Sequence, residues 1–166
     1  MITPQFARAM ASYNAEMNRR LYDAAARLPE AERRADRGAF WGSIHGTLAH
    51  ILWGDGMWMH RFAGSPAPSV GMAESPSWQQ DFSTMREHRE QVDADIAAWA
   101  ETLDQAWLDS EMVWFSGALG RELRKVRGLL VAHMFNHQTH HRGQAHALIT
   151  AAGEQTGDTD LFIVVP

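Results

Sequence analysis

VAHMFNHQTHHRGQAHALIT, residues 131–150, holds five of the chain's nine histidines. It reads as the middle of a helix running from about Val126 to Ala152, with Gly153 as its stop. On a helix His137 and His141 lie one turn apart on one face, the spacing by which a single helix offers two imidazoles to one metal ion. With His137 set at zero and about 100° per residue, Val126, Leu130 and Leu148 fall within about 20° of it. His137 is therefore expected at the centre of the core-facing stripe. Gln144 falls about 20° away, His141 and His133 about 40° to either side, and His140 on the rim at about 60°. His146 lies opposite and is expected to face solvent. Histidines on an apolar face are commonly core residues satisfied by hydrogen bonds. Two or three on one face, beside a glutamine, favour a metal, because leucine would pack there without two ring nitrogens to satisfy.

Working outward, three further helices are expected. Thr3-Pro4 is a start signal for the first, a hydroxyl cap followed by proline. Phe6, Met10, Tyr13, Met17, Leu21 and Leu28 form its stripe, and it ends near Arg27. Pro29 and the charged segment after it form a connection. The second helix is expected from about Gly38 to Phe62, with apolar residues on several sides. Asp55 falls in the centre of its main apolar arc and needs a partner. A partner for the histidine cluster and an ion pair with Arg61 are equal candidates. This helix also carries His45, His50 and His60. The wheel does not choose among them, since His50 lies away from the main arc and His45 nearer its edge.

Residues 63–77 are a Pro/Gly/Ser loop, and the third helix is expected from about Ser77, with Trp78, Phe82, Met85, Val92, Ile96, Trp99 and Leu103 as its stripe. Between Asp104 and Lys125 the period changes, and MVWF, SGALG and RELRK predict a hairpin around a glycine turn. The tail LFIVVP, residues 161–166, is expected to pack as an extended segment. The expected fold is all-α, with a small β-hairpin before the last helix, in a single domain spanning residues 1–166.

The formal charge of −5 is spread without a basic block, so neither a nucleic-acid nor an anionic-membrane partner is expected. Cysteine is absent, which excludes thiolate metal sites, disulfides and a cysteine nucleophile, and leaves histidine and carboxylate for any metal. No basic leader precedes an apolar segment, and no apolar run approaches a membrane span, so a cytoplasmic protein is expected.

These residues resemble the DinB/YfiT-like metalloenzyme family, which is unrelated to the DNA polymerase of similar name. The likeness runs through YNAEMNRRLY (13–22), DRGAFWGSIHGTLAHILWGDGMWMHRF (36–62), FNHQTHHRGQAHALI (135–149) and the closing DTDLFIVVP. The resemblance implies a four-helix bundle with long crossing connections, a homodimer, and a divalent metal held by three histidines. One comes from the second helix and aligns with His50 of LAHILWGD. The other two form an HxxxH pair that aligns with His137 and His141. Relatives of this kind include transferases and isomerases that use low-molecular-weight thiols.

Three imidazoles leave a metal an open position for water or substrate. Nitrogen donors suit zinc, nickel, iron or copper, with zinc or nickel the expected divalent ion, and Asp55, Asn136 and Gln144 are candidates to orient the ligand rings. The expected function is metal-dependent thiol transfer or hydrolysis of a small-molecule substrate, through a metal-bound water or thiolate. The alternative is a non-enzymatic, stress-responsive protein in which His133 or His140 closes the coordination sphere.

Overall fold

The computed structural model describes residues 1–117 and 119–165. It is mostly helical, with one antiparallel two-stranded hairpin placed before the last long helix. Among the described residues no helix is long and apolar enough to cross a membrane.

Helix α1 spans Pro4–Arg27, and the Thr3 hydroxyl accepts a hydrogen bond from the Phe6 amide at 3.2 Å, as the start signal predicts. Its buried face is built from Ala7, Ala11, Met17, Leu21 and Ala25, while Phe6 is exposed. A short helix α2, Glu30–Arg34, lies within the charged connection. Helix α3 covers Ile44–Ala63 and starts six residues later than the apolar pattern suggests. The Ser43 hydroxyl accepts from the Gly46 amide at 3.0 Å, while Gly38 and Gly42 take the left-handed conformation in the turn before it. Trp41 is thus freed from the helix to fold back over it. After a single 3-10 segment at Met72–Ser77, helix α4 runs over Phe82–Thr102, five residues later than expected. Asp81 fixes this start by accepting from the Thr84 amide at 2.7 Å.

A short helix α5, Gln105–Asp109, leads into β1, Glu111–Ser116, and β2, Arg121–Val126. They pair with Glu111 opposite Val126 and Ser116 opposite Arg121, which is the expected hairpin. Ala118 of its turn lies outside the described residues. Helix α6, Arg127–Ala151, follows directly, and Gly153 ends it with φ 96°. The tail differs from expectation. Leu161–Val164 form one helical turn, α7, and Phe162 is 82% exposed, so this apolar run does not pack inward as an extended strand. Pro166 lies outside the described residues.

The apolar core joins α1, α3, α4 and α6 through Leu21, Leu48, Leu52, Met85, Ile96, Met134, Phe135 and Ile149. At its centre sits a charged network to which all four long helices contribute. Asp55 is fully buried and pairs with Arg89 at 2.6 Å; Arg89 in turn reaches Asp93 at 2.9 Å. Asn14 and Asn18 donate to Asp93, Gln138 donates to Asp55 at 2.8 Å, and Arg142 donates to Asn14. Burial pushes the Asp55 carboxyl upward, against the pull of Arg89 and Gln138. Burial opposes the Arg89 charge too, but Asp93 and Asp55 outweigh it and raise that group. Arg142 is pulled down to about 10 by burial and stays charged at neutral pH. Arg89 lies between the two carboxylates, and Arg142 joins the network through Asn14.

This network corrects two sequence expectations. Asp55 pairs with Arg89, while Arg61 lies over the Trp58 ring at 4.7 Å. The buried face of α6 is centred on Gln138, about 100° around from His137. Val126 and Leu148 are only half-buried. Polar residues occupy this core face because Asp55 and Asn14 satisfy them there, so a pattern built on apolar residues alone is displaced to the rim.

Candidate metal centre

His50 comes from the buried first half of α3, and His137 and His141 from successive turns of α6. Each offers one ring nitrogen, and the three nitrogens lie within 4.8 Å of one another. Nε2 of His50 and Nε2 of His137 stand 3.2 Å apart. Two imidazole nitrogens on one tetrahedral zinc, each at 2.0–2.1 Å, would stand about 3.3 Å apart.

The far sides of the rings determine which nitrogens are free. Ser75 gives its hydroxyl proton to the Met72 carbonyl at 2.7 Å, so its oxygen accepts from Nδ1–H of His50 at 2.8 Å. That leaves Nε2 of His50 with a lone pair directed at the cluster. His141 repeats the device, with Nδ1 at 2.8 Å from the Gln144 amide oxygen. Oxygen partners on the outer ring nitrogens are the usual support of metal-binding histidines. His137 differs: its Nδ1 is buried without a hydrogen-bond partner.

Burial, reinforced by the neighbouring imidazoles, holds His50 down to about 3 and His137 to about 4. Burial lowers His141 as well, partly offset by Gln144. All three are neutral at pH 7, the protonation state a metal requires. The donor set, its protonation and its spacing therefore fit a divalent ion.

Two backbone features make room for this convergence. A Cβ on Gly54 would stand 2.8 Å from Cε1 of His137, so that turn of α3 must lack a side chain. Trp41, released from α3 by the Ser43 cap, stacks on His50 with ring centroids 3.8 Å apart, and Trp53 lies on the same imidazole at 5.6 Å. Phe40 stands edge-on to Trp41 at 4.9 Å and is exposed.

The remaining sequence candidates are distributed differently. Gln144 orients His141, as expected. Asp55 belongs to the charged network, and Asn136 is exposed. His45 turns away to the Gln79 carbonyl at 2.5 Å. His133 packs against Trp58, and His140 lies exposed beside His141; neither joins the close cluster. His146 is half-buried and bonded to Thr156 at 2.6 Å rather than turned to solvent. Sequence reasoning missed Ser75, Gly54 and Trp41. Gly54 carries a readable signal, because glycine inside a helix costs about 1 kcal/mol relative to alanine and so suggests a close approach. Ser75 carries none, since it lies 25 residues from His50 in a loop without periodicity.

Fold and site together define a mostly helical protein with a three-histidine cluster compatible with a metal site. Residues 1–164 match the DinB family, and the chain belongs to that family. A search of curated proteins finds no match.

Proposed function

We propose that this chain is a metal-dependent enzyme in which His50, His137 and His141 hold one divalent transition-metal ion, zinc or nickel. It acts on a small-molecule substrate by thiol transfer or hydrolysis. The observation that carries this reading is the convergence of the ring nitrogens, two of them with lone pairs freed by Ser75 and Gln144. When bound, the ion supplies a Lewis acid that lowers the pKa of a coordinated water or thiol.

The chain's own residues do the rest. Ser75 and Gln144 hold the ring orientations, Gly54 admits His137, and Trp41 and Phe40 form an aromatic rim that keeps water from one side of His50. Three protein donors, with His133 and His140 outside the cluster, favour an open site over a closed structural one. The absence of cysteine suits a thiol brought by a low-molecular-weight cofactor. The proposal includes a single-domain four-helix bundle formed by α1, α3, α4 and α6, acting as a cytoplasmic homodimer.

The test is elemental analysis of protein purified without a histidine tag, followed by assays of thiol transfer and ester hydrolysis. About one zinc or nickel per chain is expected, with loss of metal and activity in His137→Ala. Wild-type protein that takes up neither metal after incubation with both would sink the proposal.

A further inference from the structure

On the other side of α6 from the histidine cluster, a cavity of about 190 Å³ opens between α1, α6 and the segment that follows α6. It is larger than the roughly 150 Å³ apolar cavity known to hold benzene. No carboxylate lines it. Its basic wall is Arg142, with His146 and Arg20 beside it, Arg20 being already paired with Glu16 at 2.7 Å; Met17 and Leu21, both deeply buried, form an apolar floor.

Arg142 is the informative residue. It is only 6% exposed, yet no carboxylate lies within 4.0 Å of it among the described residues. Its hydrogen-bond partners are both neutral, the Asn14 amide oxygen and the Thr139 hydroxyl at 3.2 Å, and its guanidinium carbon lies 5.5 Å from the centroid of the Tyr13 ring. Those contacts use two of five guanidinium N–H groups. Arg89, buried to the same degree in the neighbouring network, has two carboxylates. Buried arginines are ordinarily paired with a carboxylate, and one that is not leaves a costly buried charge that an anion in the cavity would offset. The fork of a guanidinium matches a carboxylate in two parallel hydrogen bonds.

The surroundings are built to hold this wall in place. Arg20 donates to the Asp158 carbonyl at 2.8 Å and Tyr13 to the Thr159 carbonyl at 2.6 Å, which ties the closing segment to α1. Thr156 bonds Nδ1 of His146, leaving the other ring nitrogen of that histidine unused.

We propose that this cavity is a second ligand site, which takes a small organic carboxylate with its anionic end on Arg142 and a benzene-sized apolar body on Met17 and Leu21. The site is separate from the metal centre, because Arg142 and His146 leave α6 about 140° and 180° around from His137.

Benzoate is the probe, titrated into the full-length ¹⁵N-labelled protein while the amide resonances of Gly143, Thr156 and Thr159 are followed. Saturable shifts confined to those residues are expected, with affinity about tenfold weaker in Arg142→Lys, which keeps the charge but loses the fork. Should that variant not fold, benzyl alcohol tests the charge on wild-type protein, and it should bind at least about tenfold more weakly than benzoate. Shifts that do not saturate, or that map to the neighbours of His50 and His137, would overturn the site. Benzyl alcohol binding as tightly as benzoate would overturn the role of Arg142. Inorganic phosphate binding as tightly would overturn the assignment to an organic carboxylate.

Discussion

Helices α3 and α6 share two polar clusters, and adjacent residues of α6 serve one each. Gln138 and Arg142 reach into the charged network, while His137 and His141, one position earlier, face His50. In the network opposite charges meet, so Asp55 and Asp93 find their counter-charge in Arg89 within the chain. In the histidine cluster like groups meet. Lone pairs converge, burial keeps the rings uncharged, and the outer nitrogens of His50 and His141 are used to hold that arrangement. Polar groups gathered in a core can thus serve to tie helices together or to receive something from outside. Whether the cluster supplies its own complement separates the two cases.

The contrast is tested most directly by removing one member of each cluster. His137→Ala should abolish metal binding, from about one ion per chain to none, while the far-ultraviolet circular dichroism stays helical. Retained stoichiometry in that variant would mean that the other histidines hold the ion without it. Asp55→Ala should do the reverse. Leaving Arg89 without its closest carboxylate should cost about 3–5 kcal/mol in urea unfolding, with metal still bound in the folded fraction. A loss below about 1 kcal/mol would show that Asp93 alone satisfies Arg89.

Acid should separate the clusters further. Unfolded histidines titrate near 6.5, whereas burial holds His50 to about 3 and His137 to about 4 in the folded chain. Below 6.5 the unfolded state therefore binds more protons, and metal-free protein loses stability as pH falls toward 4. This contribution is fully present above pH 6.5. Urea midpoints measured between pH 7 and 4 should fall less steeply for His50→Gln than for wild type. Equal slopes would remove the histidines as the origin of the acid sensitivity.

Much of this was legible in the sequence. The Thr3-Pro4 cap, the hairpin and the last helix follow from local signals, since capping and turn chemistry act over a few residues. The starts of α3 and α4 were misread because Trp41 and Trp78 extend the apolar pattern beyond the caps at Ser43 and Asp81. The HxxxH pair was visible from spacing, but His50 came only through family resemblance. A helical wheel scores apolar faces, and His50 lies on a face buried by histidines and tryptophans. The network was illegible for the same reason. Arg89 and Gln138 look like surface residues until the chain brings Asp55 to them.

The smallest expected effect concerns Ser75, and it tests whether the histidine cluster is prearranged. Ser75→Ala removes the acceptor that keeps the proton on Nδ1 of His50. It leaves all three ligand nitrogens and the charged network in place. If Ser75 only packs beneath α3, metal affinity should not change. If it sets the tautomer, affinity should fall by about 10–100-fold, as for other outer partners of metal-binding histidines. A competition titration against a chromogenic chelator reads this directly, and urea unfolding of the metal-free protein supplies the control. Gly54→Ala probes the same arrangement sterically, since its new methyl would meet the His137 ring rather than the charged network. Weaker metal binding in both variants, with little change in metal-free stability, would show that the chain holds these rings for a ligand and not for the fold.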